Sequence, residues 1–255
     1  MNFFKNLFSS ESSEERFVKK HVKRVLNKYS QKEIREESLH ALAERNTPES
    51  LYGLLQRFTY NHPEGIIDEN EKNKVLRLLE LIGPEDVGAP LRRFLKEQHT
   101  VSMALLALER LEGEKATKNT LQEQLQRADP GDKWSAQKRL QLVNHLDQYE
   151  ALEDYEILFP FLEDVNDDVI FRCIDLLEKT VMHPDQTEAR DAIRAKLVAL
   201  LLEEETSMRI RARILDLVRS SKWYIGDHKD ALKDKLPEGY FLDKRGHLKI
   251  SERFS

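Results

Sequence analysis

Histidine is the residue type here best suited to metal or acid–base chemistry, and the chain has eight: His21, His40, His62, His99, His145, His183, His228 and His247. No two stand three or four residues apart, the separation that lets one helix turn two imidazoles toward an ion, and none is followed by Glu. No metal site is expected. The single cysteine, Cys173, lies in the apolar run `VIFRCIDLL` and reads as a reduced thiol packed like a small hydrophobe, which favours a reducing compartment, and a cytoplasmic protein is expected. Neither a P-loop, a dinucleotide glycine fingerprint nor a nucleophile elbow is present. The expectation is a non-enzymatic protein without cofactors.

Recognition is the chemistry that remains, and it falls to arginines and tyrosines that recur. The segment `TPESLYGLLQRF` (Thr47 to Phe58) returns as `GPEDVGAPLRRF` (Gly83 to Phe94), displaced by 36 residues, so Arg57 and Arg93 take equivalent positions. Arg92, Lys96, Lys118, Arg190 and Arg194 lie on the same class of element. Together they could present a ladder to an acidic or phosphorylated segment of a partner protein, because a guanidinium fork fits carboxylate and phosphate. Glu123 interrupts the ladder in the third repeat, and pairing within the protein is the alternative. Tyr52 and Tyr60 fall off the stripe of Leu51, Leu54, Leu55 and Phe58 and so read as accessible anchors.

Elements of fixed period must carry these residues. With 40% hydrophobic and 34% charged residues, but only 9 Gly and 8 Pro, the composition is that of an all-helical protein. The net charge is −5, the wrong sign for a chain that gains affinity by neutralising phosphates, so nucleic acid is not expected as a partner. The longest aliphatic stretch, `LVALLL`, is far short of the roughly 20 residues that span a bilayer. Helix pairs are predicted with first helices near Gln31, Glu69, Thr100, Lys133, Asp168 and Ser207, and second helices near Glu49, Glu85, Lys115, Asp154, Thr187 and His228. Leu55, Leu91, Leu121, Leu158, Ile193 and Leu232 then align at steps of 30 to 39 residues. Pairs at that interval cannot bury their apolar faces alone, and the predicted fold is an all-α, right-handed α-solenoid of five to six pairs.

Two junctions, `LEDVNDDVIFRCIDLLEKT` and `LEEETSMRIRARILDLVRS`, share an acidic turn, an aliphatic residue (Val169 or Met208), an Arg three residues on (Arg172 or Arg211), a small residue (Cys173 or Ala212) and a Leu (Leu176 or Leu215). This pattern resembles the HEAT repeat, over about Gln31 to Leu236. The resemblance implies an interaction scaffold that holds a partner on its concave face, with the Arg reaching back to the acidic turn. HEAT-like folds also include enzymes. The His-Glu pairs of di-iron deoxyhypusine hydroxylases are missing, and nothing marks the pigment handling of phycobilin lyases. Trp134 and Trp223 fall near a helix start and a helix end, and Trp223 reads as a packed capping residue rather than the base-stacking residue of an alkylpurine DNA glycosylase.

The expected division is an N-terminal amphipathic arm and first helix over 1–30, the repeat array over 31–236 and a C-terminal capping tail or hairpin over 237–255. Phe3, Phe4, Leu7 and Phe8 share one helical face in the arm, which suits either a flap on the first repeat or weak peripheral contact with a membrane surface or partner groove. Turn chemistry in `DKRG`, with Gly246 suited to positive φ, predicts the hairpin. The purified protein should carry no stoichiometric iron or zinc; elemental analysis finding about one metal or more per chain would overturn the reading of the histidines.

Overall fold

Side-chain caps set several of the helix starts. In the computed structural model, which describes residues 12–149, 154–183 and 187–251, the Ser12 hydroxyl accepts from the Glu15 amide while Glu15 accepts from the Ser12 amide, opening α1 (Ser13–Val25) with a capping box. Thr47 and Ser50 do the same for α3 (Pro48–Leu55), whose first residue is a proline that has no amide to leave unpaired. Asn46 ends α2 (Lys32–Arg45) in the left-handed region, φ 47°. Gly83, at φ 96°, separates α4 (Gly65–Ile82) from α5 (Pro84–Glu97), and Gly113, at φ 83°, breaks α6 (Ser102–Gln126) into two.

The chain is mostly α-helix and divides into two compact units, Met1–Leu121 and Gln122–Ser255. The boundary falls within the span 31–236 that the repeat spacing treats as one array. In the first unit α1 packs on α2 and α3, α2 on α4, and α3 on α5. The second unit contains α7 (Ala136–His145), a 3-10 segment (Tyr155–Glu163), α8 (Asp167–Met182), α9 (Thr187–Leu202), α10 (Met208–Ser220) and the short α11 (Lys229–Leu232). There α8 packs on α7, α9 and α10. The only strands among the described residues are β1 (Tyr240–Leu242) and β2 (Leu248–Ile250), an antiparallel hairpin with Leu242 opposite Leu248 and Gly246 at φ 80° in the turn. It packs on α10, and the Tyr240 hydroxyl donates to Asp216 at 2.8 Å.

The apolar positions aligned at steps of 30 to 39 residues lie in the core. Leu55, Leu91, Leu121, Leu158, Ile193 and Leu232 are all fully buried. Cys173, Leu176, Ile210, Ile214 and Leu217 are buried as well, and burial pushes the Cys173 thiol far above its usual range, which keeps it protonated and inert.

Buried arginines are what the apolar pattern does not show. The fourth residue of α2, α7 and α10 is Arg35, Arg139 and Arg211, each less than 5% exposed. Each reaches back to carbonyls of the loop before its own helix. Arg35 donates to Ser30, Arg139 to Pro130 and Asp132, and Arg211 to Glu203 and Glu204. Arg139 also makes two parallel bonds to buried Asp164, and Arg35 donates to Glu71 at 2.8 Å. Arg211 thus acts as the junction pattern implies, whereas Arg172 does not: it pairs with Asp147 and Asp175 and leaves the turn before α8 to Arg139. Met208 likewise departs from Val169, being 54% exposed where Val169 is buried, because it is the first residue of its helix and Val169 the third.

Two substitutions test this packing. Glu71→Gln removes the charge shared by two buried guanidinium groups and should cost about 3 to 5 kcal/mol in urea unfolding. Leu217→Ala, at a fully buried site of α10, should cost about 2 to 5 kcal/mol; a loss under about 0.5 kcal/mol would contradict its burial.

Candidate functional site

The arginine ladder divides when its members are placed. Arg57 is fully buried: its Nε donates to Glu71 at 2.8 Å, Nη2 to Asp68 at 2.8 Å and Nη1 to the Tyr60 carbonyl at 2.6 Å. It cannot meet a partner, and the expectation that Arg57 and Arg93 jointly grip one acidic segment is corrected. The reason is local. After Leu55 the chain tightens into a 3-10 turn (Gln56–Thr59), which turns Arg57 toward the carboxylates of α4, whereas α5 stays α-helical past Arg93. Burial raises the Asp68 carboxyl, but hydrogen bonds from Lys72, the His62 amide and Arg57 outweigh it and hold the group below its ordinary range. Tyr60 is corrected too. Its hydroxyl is buried without a hydrogen-bond partner, and its ring lies 5.6 Å from the Arg57 guanidinium, so it covers the ion network rather than offering an anchor.

Other members are held within the protein but remain at the surface. Arg92 forks onto Glu112, Lys118 pairs with Glu114 at 2.6 Å, and Lys96 is exposed on α5. Arg190 and Arg194 belong to the second unit, where they donate to the Val181 and Tyr224 carbonyls. Trp134, before α7, is 90% exposed. Phe3, Phe4, Leu7 and Phe8 lie outside the described residues. Among the described residues no helix is long and apolar enough to cross a membrane.

Arg93 and Tyr52 are brought together. The Arg93 guanidinium lies 4.4 Å from the Tyr52 ring centroid, and its Nε donates to Glu97 at 3.1 Å. The Tyr52 hydroxyl donates to Glu97 at 2.8 Å and accepts from Gln98 at 2.7 Å. Burial, then the Glu97 carboxylate, raises the Tyr52 phenol; the Tyr52 hydroxyl, then Arg93, lowers Glu97. The pair therefore stays a neutral phenol beside a carboxylate and a guanidinium across the physiological range.

That cluster forms one wall of a groove of about 750 Å³ between α1 and α3. Val18, Lys19 and Val22 come from α1, and Gly53 and Gln56 lie opposite. Gly53 sets the width: a Cβ there would stand 2.9 Å from Val18 Cγ1 and 3.1 Å from Val22 Cγ2, so the missing side chain lets the two helices close. Sequence reasoning missed the α1 wall. The signal was the helical spacing of Phe17, Val18, His21, Val22 and Val25, whose inner members pack while Val18 and Val22 stay partly open.

No family model, curated protein or solved structure matches the chain. The groove must therefore be read from its own chemistry, which combines the apolar Val18, Val22 and Gly53 with the Tyr52 ring, the cations of Arg93 and Lys19 and the carboxylates of Glu15 and Glu49.

His21, on the packed side of α1, has a pH signature. Burial, then the charges of Lys20 and Arg24, lowers its pKa against a smaller opposing effect of Glu37, and the imidazole lies 4.5 Å from the Phe17 ring. The unfolded chain takes up a proton near pH 6.5, its ordinary value, and the folded chain only below it. Stability should be fully present above about pH 6.5 and fall as pH drops. Urea unfolding at pH 7.5 and 5.5 should show wild type losing more stability than His21→Leu over that interval.

Proposed function

We propose that this protein is a non-enzymatic interaction scaffold of the HEAT-like α-solenoid kind, which holds a partner segment in the groove between α1 and α3. Support for the repeat architecture comes from the six spaced apolar positions, all of them buried. The observation that carries the function is the groove itself. An apolar trough with Val18, Val22 and Gly53 along it is bordered by Tyr52 and Arg93, and tyrosine and arginine are the residue types that most often anchor protein interfaces. The Tyr52 ring and its two hydrogen bonds hold the Arg93 fork in place, so little rotamer freedom is lost on binding.

The partner this chemistry suits is an extended segment with an apolar side chain beside a carboxylate or phosphate. The apolar group would fill the trough, and the anion would take Arg93 from Glu97, a pair that is half exposed and worth little in water.

Wild-type protein and the double variant Tyr52→Ala, Arg93→Glu should be compared by affinity capture from the source cell. The partner bound by wild type should be depleted about tenfold or more from the variant, and its retention should weaken as salt rises. Both substitutions leave the buried ion network untouched, so thermal unfolding should hold within a few degrees. Equal capture by a folded variant would place the binding surface elsewhere.

A further inference from the structure

Three helices of the second unit begin beside an apolar side chain left in water. Trp134 stands just before the Ser135 that opens α7, Val165 just before Asn166, the cap of α8, and Met208 is the first residue of α10. They are 90%, 47% and 54% exposed. A single exposed apolar residue needs no explanation, but these three share an edge. The Val165 amide donates to the Pro130 carbonyl at 3.1 Å, and Arg139 joins the Asp132 carbonyl to Asp164, which fixes the first two starts side by side. The Ser207 hydroxyl donates to Asp167 at 2.7 Å, and Arg209 to Asp168 at 2.7 Å, which fixes the third beside the second.

The charge around this ridge is one-sided. Asp167 and Asp168 lie in the first turn of α8, where the helix dipole favours them. Glu163, Glu203 and Glu205 do not have that reason. Glu163 closes the 3-10 segment and Glu203 and Glu205 follow α9, positions where the dipole of a helix favours cations, yet all three are exposed acids. Against them stand Lys133, exposed beside Trp134, Arg209, which is held by Asp168, and Lys235, which donates to the Leu202 carbonyl at the end of α9 and pairs with Glu204, leaving Glu163, Glu203 and Glu205 as the exposed acids.

We propose that this edge docks a basic amphipathic helix of a partner protein, its apolar stripe on Trp134, Val165 and Met208 and its lysines or arginines against Glu163, Glu203 and Glu205. An acidic rim around a fixed apolar ridge selects that ligand over an acidic peptide or an anionic membrane, both of which it repels. The surface is separate from the groove between α1 and α3 and stands or falls independently of it.

The test uses Trp134 as its own reporter. With Trp223→Phe, Trp134 is the one tryptophan left in the chain. The probe is a synthetic Leu/Lys amphipathic helix of about four turns, compared with a scrambled peptide of the same composition and with phosphatidylcholine vesicles. The amphipathic peptide should shift Trp134 emission to the blue and saturate, and the scrambled peptide should bind about tenfold more weakly or worse. Val165→Ser with Met208→Ser, and separately Glu163→Lys with Glu203→Lys and Glu205→Lys, should each weaken binding about tenfold. Should either multiple variant fold poorly by circular dichroism, Trp134→Gln, at a site 90% exposed, is read instead by the anisotropy of labelled peptide and should show the same loss. Equal binding of the scrambled peptide, or unchanged affinity in the folded variants, would overturn the proposal. So would a blue shift produced by the vesicles alone, or by raising protein concentration without peptide, since these assign the ridge to lipid or to a second copy of the chain.

Discussion

A guanidinium group removed from water stays charged, so every one of its donors must find an acceptor inside the protein. This constraint organises much of the structure. In the first unit Glu71 serves Arg35 with one oxygen and Arg57 with the other, Asp68 accepts from Arg57 Nη2 and from Lys72, and the Tyr60 carbonyl accepts from Arg57 Nη1. Three elements are thereby fixed relative to one another: the start of α2, the 3-10 turn after α3, and the first turns of α4. Apolar contacts between the same helices are not directional and would tolerate sliding; a fork bonded to a particular carboxylate oxygen does not.

The second unit meets the constraint with different residues. Arg139 satisfies its fork with Asp164, the Ser135 hydroxyl and two loop carbonyls. Arg211 meets it only in part: with no buried carboxylate, its Nη2 donates to the Glu203 and Glu204 carbonyls while its buried Nε has no partner. Loops that would otherwise wander are gripped from beneath by the helices that follow them. That is why the backbone of those loops, at Trp134 among other places, is held although the side chain is exposed.

Apolar residues were legible from sequence and charged ones were not, for a physical reason. A leucine at helical spacing has one favourable destination, and Leu55, Leu91 and Leu158 reached it. Arg57 and Arg93 match in sequence yet have opposite environments, because the chain turns 3-10 after Leu55 and stays α-helical through Arg93. A readable signal did exist. Arg35 lies in register with Leu39 and Leu42, and Glu71 with Val75 and Leu79, so each charge sits on an apolar stripe and must be paired where the stripe is buried. The groove was partly legible, since Tyr52 and Arg93 were singled out. Its α1 wall was not, because only packing against Gly53 brings Val18 and Val22 opposite them.

The C-terminal hairpin bears on what α10 exposes. Helices α7, α8 and α10 follow one another, with α8 in contact with both of the others. β2 packs on α10, and Tyr240 is bonded to its Asp216. Leu248, buried in β2, would meet water if the hairpin came away. The two short strands thus act as a clasp on α10, closed by one apolar side chain and one phenol rather than by the sheet itself, which is too small to hold alone.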